Sequence, residues 1–120
     1  MKDLKLIIEN LTKIYFVAKM LHWNATDNYS DHLLYDRITE DCIDFIDKIA
    51  ESCIFPFDTI NRLDLEIKSF DITSLKEYIV ETANTIEKLC NSKDISEGAK
   101  NTLSGIAEAL NIKAYLLKDK

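Results

Sequence analysis

Glycine and proline are nearly absent: Gly98, Gly105 and Pro56 are the only three in 120 residues. A sandwich or barrel turns about every 8–12 residues and needs many more turn-formers, so both are excluded. Collagen-like and linker-rich chains fail on the same count. No run of about 18 consecutive apolar residues is present, so no transmembrane helix is expected. The first 20 residues interleave charged and apolar groups. They lack the continuous apolar stretch of a secretory signal, so a cytoplasmic setting is expected. Cysteine is sparse and odd in number, with Cys42, Cys53 and Cys90 at spacings that match no metal or disulfide pattern. Buried thiols in a reducing compartment are the expectation. Basic residues are in deficit, 15 against 21 acidic ones, for a net charge of −6 and no basic run. Binding to duplex DNA draws on Lys and Arg that neutralise phosphates, so DNA is not an expected partner. A surplus of carboxylates suits cations instead.

What the chain does have is helical periodicity. Hydrophobic residues make up 47% and charged residues 30%, an ordinary balance for one globular domain spanning residues 1–120. Apolar groups recur at Leu4, Ile7, Ile8, Leu11, Ile14, Tyr15, Ala18 and Leu21, spacings of three and four that predict a helix from about Lys2 to Trp23. Residues 24–28 break it with turn chemistry. A second helix is predicted from about Ser30 to Cys53, with Leu34, Ile38, Cys42, Phe45, Ile49 and Cys53 inward and Pro56 beyond its end. Residues 54–72 are the least regular, and a short helix is expected around Thr59–Ile67. Ser74-Leu75-Lys76-Glu77 has the form of a capping box and opens, or lies just inside, a third helix to about Cys90. Its inward residues are Leu75, Tyr78, Ile79, Ala83, Ile86 and Leu89 or Cys90. A fourth runs from about Ser96 to Leu117, with Leu103, Ile106, Ala107, Leu110, Ala114 and Leu117 inward. Four amphipathic helices pack most simply as an all-α four-helix bundle, here with a crossover segment between helices 2 and 3.

Only two histidines occur, His22 at the end of the first helix and His32 at the start of the second. A lone His on an apolar face is usually a hydrogen-bonded core residue, but these have company. His32 is followed four residues later by Asp36, and Asp47 four residues later by Glu51. Each pair places two ligating side chains on one helix face. The eleven residues from Asp36 to Asp47 make three turns with about 20° left over, so all four share a face, together with Glu40 and Ile43. The apolar stripe points roughly 150° away. The plain reading of such a face is solvated charge.

The spacing says more. Asp36 and Asp47 lie about 16 Å apart along a straight helix and cannot share one ion. Yet the pattern is positionally symmetric: the midpoint of 32 and 51 is 41.5, as is that of 36 and 47. A second, antiparallel copy about a two-fold axis at Asp41/Cys42 sets His32 and Asp36 of one chain against Asp47 and Glu51 of the other, twice. Two-fold interfaces are self-complementary in this way. His22 reaches one end of the same cluster. Each site then gathers two imidazoles and three carboxylates, too many acids to bury together without a cation. Nitrogen and oxygen ligands without thiolate suit Fe, Mn or Zn.

These residues resemble the signature of the Dps miniferritins. His22-Trp23-Asn24, then His32-x3-Asp36, then Asp47-Lys48-Ile49-Ala50-Glu51 recur in the family's order, with the His22–His32 interval about two residues shorter than usual. Ser74-Leu75-Lys76-Glu77-Tyr78 and Lys113-x-Tyr115-Leu116-Leu117 resemble its third-helix opening and closing segment. The resemblance implies a ferritin-like subunit, usually twelve to a hollow shell. It implies a di-iron ferroxidase centre between two-fold-related subunits, Fe(II) oxidation often by hydrogen peroxide, and ferric mineral stored inside. By that analogy His22 with the partner's Asp47 and Glu51 hold one iron, His32 and Asp36 support the second, Glu51 bridges, and Trp23 lies beside the site. Ser52 stands where the family often has Arg, the chain is shorter than most members, and the basic tail of DNA-coating members is missing. The rival expectation is a non-enzymatic helical interaction module whose acidic face is solvated or binds zinc.

Overall fold

The computed structural model describes residues 2–57 and 62–117. Four α-helices form a bundle: α1 (Lys2–Asn24), α2 (Tyr29–Ile49), α3 (Leu75–Cys90) and α4 (Glu97–Leu116). Among the described residues there is no strand. One π-helical turn, Ala50–Ile54, extends α2, and one 3-10 turn, Ile72–Ser74, precedes α3. No described helix is long and apolar enough to cross a membrane.

Each helix buries its apolar stripe. Ile7, Ile8, Leu11 and Ile14 of α1 meet Ile38 of α2, Ile79 and Ile86 of α3, and Leu103 and Leu110 of α4 in one fully buried core. Each such side chain contributes about 1.5–3 kcal/mol relative to exposure. Tyr15, Leu21, Leu34, Tyr78 and Cys90, expected inward, lie only partly buried at the edge of this core, while Val17, Tyr35 and Ala99 are inside it. Two threonines are also buried. Thr39 donates its hydroxyl to the Asp36 carbonyl at 2.6 Å, and Thr82 donates to Tyr78 at 2.7 Å. A hydroxyl satisfied by its own helix enters a core at little cost.

α1 packs on α2 and α3, and α4 packs on α3 and α2. Leu4, Cys53, Ile54 and Ala99 meet at one end of the bundle; Leu21, Tyr35, Leu75 and Leu117 meet at the other. α2 therefore finishes where α1 starts, while α3 starts where α1 finishes. The segment between them returns along the bundle, and on the way the Glu66 N–H donates to Glu9 Oε2 at 2.6 Å. Residues 62–67 of this segment are not helical, contrary to the helix expected around Thr59–Ile67; residues 59–61 lie outside the described set. The reason is in the residues. Leu63, Leu65 and Ile67 alternate with Asp64, Glu66 and Lys68, a period of two that belongs to extended backbone.

Two helix ends also differ from expectation. Ser74 makes no side-chain cap. Asp71 caps instead, one turn earlier, accepting from Thr73 N–H at 2.9 Å and Thr73 Oγ1 at 2.7 Å. These donors hold the Asp71 carboxyl below its ordinary range. α2 ends in the widened π turn, closed by Phe55 N–H to Ala50 O at 3.0 Å. In a regular helix Ile54 would sit about 140° from Ile49. The five-residue turn brings it round, so that Ile49, Cys53 and Ile54 are all buried.

Candidate metal centre

Where α1 hands over to α2, the residues Ala25–Asn28 make a tight connection. Asn28 caps α2 by accepting from Asp31 N–H at 3.1 Å. This short turn lays the last turn of α1 beside the first turn of α2 and brings the two histidines together. Their rings stack with centroids 3.8 Å apart and planes 27° off parallel. His22 Nδ1 is 2.9 Å from the His32 carbonyl oxygen, and His32 Nδ1 is 2.9 Å from the His22 carbonyl oxygen.

This reciprocal arrangement fixes the chemistry of both rings. A carbonyl oxygen only accepts, so each Nδ1 must carry the hydrogen and donate it. In the neutral imidazole, Nε2 is then left as a bare lone pair, the form in which histidine binds metals. The His22 carbonyl, one of the last four of α1, accepts from the Ala25 N–H at 3.4 Å as well as from the His32 ring.

Asp36 sits one turn further along α2, with Oδ1 3.9 Å from His22 Nε2. The His22 side chain is 16% exposed and that of Asp36 37%. A bare Nε2 and a carboxylate oxygen are both acceptors, and only a proton or a cation between them is favourable. At tetrahedral angles two ligands about 2.1 Å from a zinc-sized ion stand about 3.4 Å apart, so the pair would close by about 0.5 Å to hold one. His22 thus stands beside both His32 and Asp36.

Asp47 and Glu51 are not part of that place. Both lie exposed further down α2 and the π turn, and among the described residues neither side chain has an ion pair or hydrogen bond. Glu40 is exposed between the two ends. Among the described residues no three His, Cys, Asp or Glu side chains stand together as a ready metal-binding group. Of the five predicted ligands, His22 on α1 stands beside His32 and Asp36 on α2, and Asp47 and Glu51 lie apart from them. Ile43, 51% exposed, lies between the halves. Asp41 turns to the other side and pairs with Lys113 of α4 at 3.0 Å, and so is not available to this face.

Two neighbours of the centre carry aromatic rings. Trp23, next to His22, is exposed, as is Tyr29, whose ring stands 6.5 Å from that of His32 at 18°. Tyr29 escaped the sequence reading although its position three residues before His32 puts it on the same face. The cysteines stay apart from the centre. Burial, helped by the Asp41 charge, pushes the Cys42 thiol up to about 12, and burial also raises Cys53. The chain matches no protein-family model, no curated protein and no solved structure.

Proposed function

We propose that this protein is a ferroxidase of the Dps miniferritin kind, oxidising Fe(II) at a site completed by a two-fold-related copy of itself. One observation carries the reading: two histidines locked as Nε2 donors beside Asp36, on a helix whose symmetric positions hold two unpaired carboxylates. The donor set of imidazole nitrogen and carboxylate oxygen, without thiolate, fits iron and also accepts zinc or manganese. The symmetric spacing about residue 41.5 supports a partner chain as the source of Asp47 and Glu51. A closed shell of twelve chains with a ferric store belongs to the same proposal.

Fe(II) is the substrate. Two of them supply the two electrons that reduce one hydrogen peroxide to two waters, taking up two protons, so no one-electron oxygen radical is released. The chain's own part is geometric and electrostatic. His22 and His32 offer neutral nitrogen without rotating, because the backbone carbonyls already hold both rings. Asp36 and the partner's Asp47 and Glu51 add negative charge, which favours the ferric product over the ferrous substrate.

The test is Fe(II) with hydrogen peroxide, followed by ferric absorbance. Wild type is expected to oxidise iron far faster than buffer, and Asp47→Ala/Glu51→Ala to fall to the buffer rate. Equal rates for all three would leave the acidic face as that of a non-enzymatic interaction module, solvated or zinc-binding.

A further inference from the structure

We propose that Cys90 and Cys53 form an oxidisable pair, in which peroxide oxidises the Cys90 sulfur and Cys53 closes a disulfide onto it. The pair owes nothing to the metal centre, which lies at the other end of the bundle, where α1 finishes.

The fold brings the two thiols to one end. α2 finishes there with Cys53 in its π turn, beside Leu4 of α1 and Ala99 of α4. α3 finishes there too, where Leu89 and Ser92 line one cleft with Asp3. Cys90, the last residue of α3, sets its Sγ 3.9 Å from the Lys100 carbonyl oxygen and 3.7 Å from Ser104 Oγ. Ala99 and Lys100 are consecutive, so the first turn of α4 borders both cysteines. Both are free thiols. Burial raises the Cys53 thiol above its ordinary range and the charge of Cys90 adds to that, so the two sulfurs act on each other. Cys42 is out of reach of Cys53: fully buried, it stands about 16 Å away along α2.

The two sulfurs differ in the way this chemistry needs. Cys90 is part-exposed and open to a small oxidant, whereas Cys53 is 4% exposed. Ser104 donates to the Cys90 sulfur, a hydrogen bond that strengthens when the sulfur is an anion. The Cys90 thiolate attacks one oxygen of hydrogen peroxide; the O–O bond breaks, an S–O bond forms and hydroxide leaves. The Cys53 sulfur then attacks the sulfenic sulfur. The S–S bond forms, the S–O bond breaks, and the departing oxygen takes the Cys53 proton and leaves as water. Two thiols thus give two electrons and two hydrogens to one peroxide, which becomes two waters. A disulfide holds its two Cα atoms within about 7 Å, so the bond pins the π turn to the end of α3 and closes the crossover segment and α3 into one loop.

The experiment uses the full chain, reduced, freed of reductant and kept with a metal chelator so that iron takes no part. Hydrogen peroxide is added and the products are read by mass spectrometry without reduction. Loss of two hydrogens is expected, with tryptic segments 49–62 and 89–93 joined and Cys42 unmodified. The oxidised chain should melt roughly 10 °C higher, a gain that a reductant reverses. Cys53→Ala should let the Cys90 sulfenic acid persist for trapping by dimedone. Cys90→Ser should slow oxidation of Cys53 by about 10-fold or more, since the buried thiol meets peroxide poorly. Circular dichroism of each variant shows whether the fold survives, and if either unfolds, the linkage in the wild-type chain still decides. Cys90 carried on to sulfinic acid while Cys53 stays reduced, chains joined to each other through Cys90, or no reaction at all would each overturn the pairing.

Discussion

Mixing two inactive chains tests the shared site most directly. One chain carries Asp47→Ala/Glu51→Ala and keeps His22, His32 and Asp36. The other carries His22→Ala/His32→Ala and keeps Asp36, Asp47 and Glu51. In each parent homodimer both sites are incomplete. In a mixed dimer one site regains all five ligands and the other keeps Asp36 alone. Random association at equal amounts makes about half the dimers mixed, so about a quarter of all sites are whole. The expected rescue is therefore about a quarter of the wild-type ferric absorbance rate, from parents that show none. The geometry forbids the result within one chain, because Asp36 and Asp47 lie about 16 Å apart along α2. The assay is peroxide-driven Fe(II) oxidation after unfolding and refolding the mixture, with native mass spectrometry to count mixed dimers. Absence of rescue while mixed dimers are present would refute the two-fold argument.

Zn(II) at about one hundred times its Kd should add about 2.7 kcal/mol to the assembled protein, roughly 10 °C by differential scanning calorimetry. Asp47→Ala should cost the metal-free protein nothing, because it loses no partner and relieves acid–acid repulsion, whereas His22→Ala also loses a ring-to-carbonyl bond worth about 1 kcal/mol. Duplex DNA should give no gel shift at about 150 mM salt, given the net charge of −6; a shift that survives would require charge segregation absent from this sequence. A thiol reagent at pH 8 should label part-exposed Cys90 first and Cys42 last. With its thiol raised to about 12, Cys42 is thiolate in about one molecule in ten thousand at that pH, and rapid labelling by mass spectrometry would mean that α2 opens locally.

The four helices were legible because a stripe repeating every three or four residues has one low-energy solution, a helix with that stripe in a core. Ile14, Ile38, Ile86 and Leu110 were placed by period alone. The errors fall where period does not decide. The capping-box pattern at Ser74 was outcompeted by Asp71, whose carboxylate binds both donors of Thr73. A local motif names a candidate cap, but the chain entering the helix chooses it. The alternation of Leu63, Leu65 and Ile67 was in plain view, yet a segment without a strand partner does not announce itself as extended.

The site divides in the same way. That His32, Asp36, Asp47 and Glu51 share a face follows from angle arithmetic on one regular helix, and α2 is regular over most of that span. What joins His22 to His32 is not periodic at all. It depends on a four-residue turn that sets two helix ends side by side and on carbonyl groups that no side-chain pattern encodes. Beyond Asp36, Glu40, Asp47 and Glu51 stand exposed along α2 and its π turn. The proposal that a second copy, turned about the level of Asp41 and Cys42, supplies Asp47 and Glu51 rests on the symmetric spacing about residue 41.5.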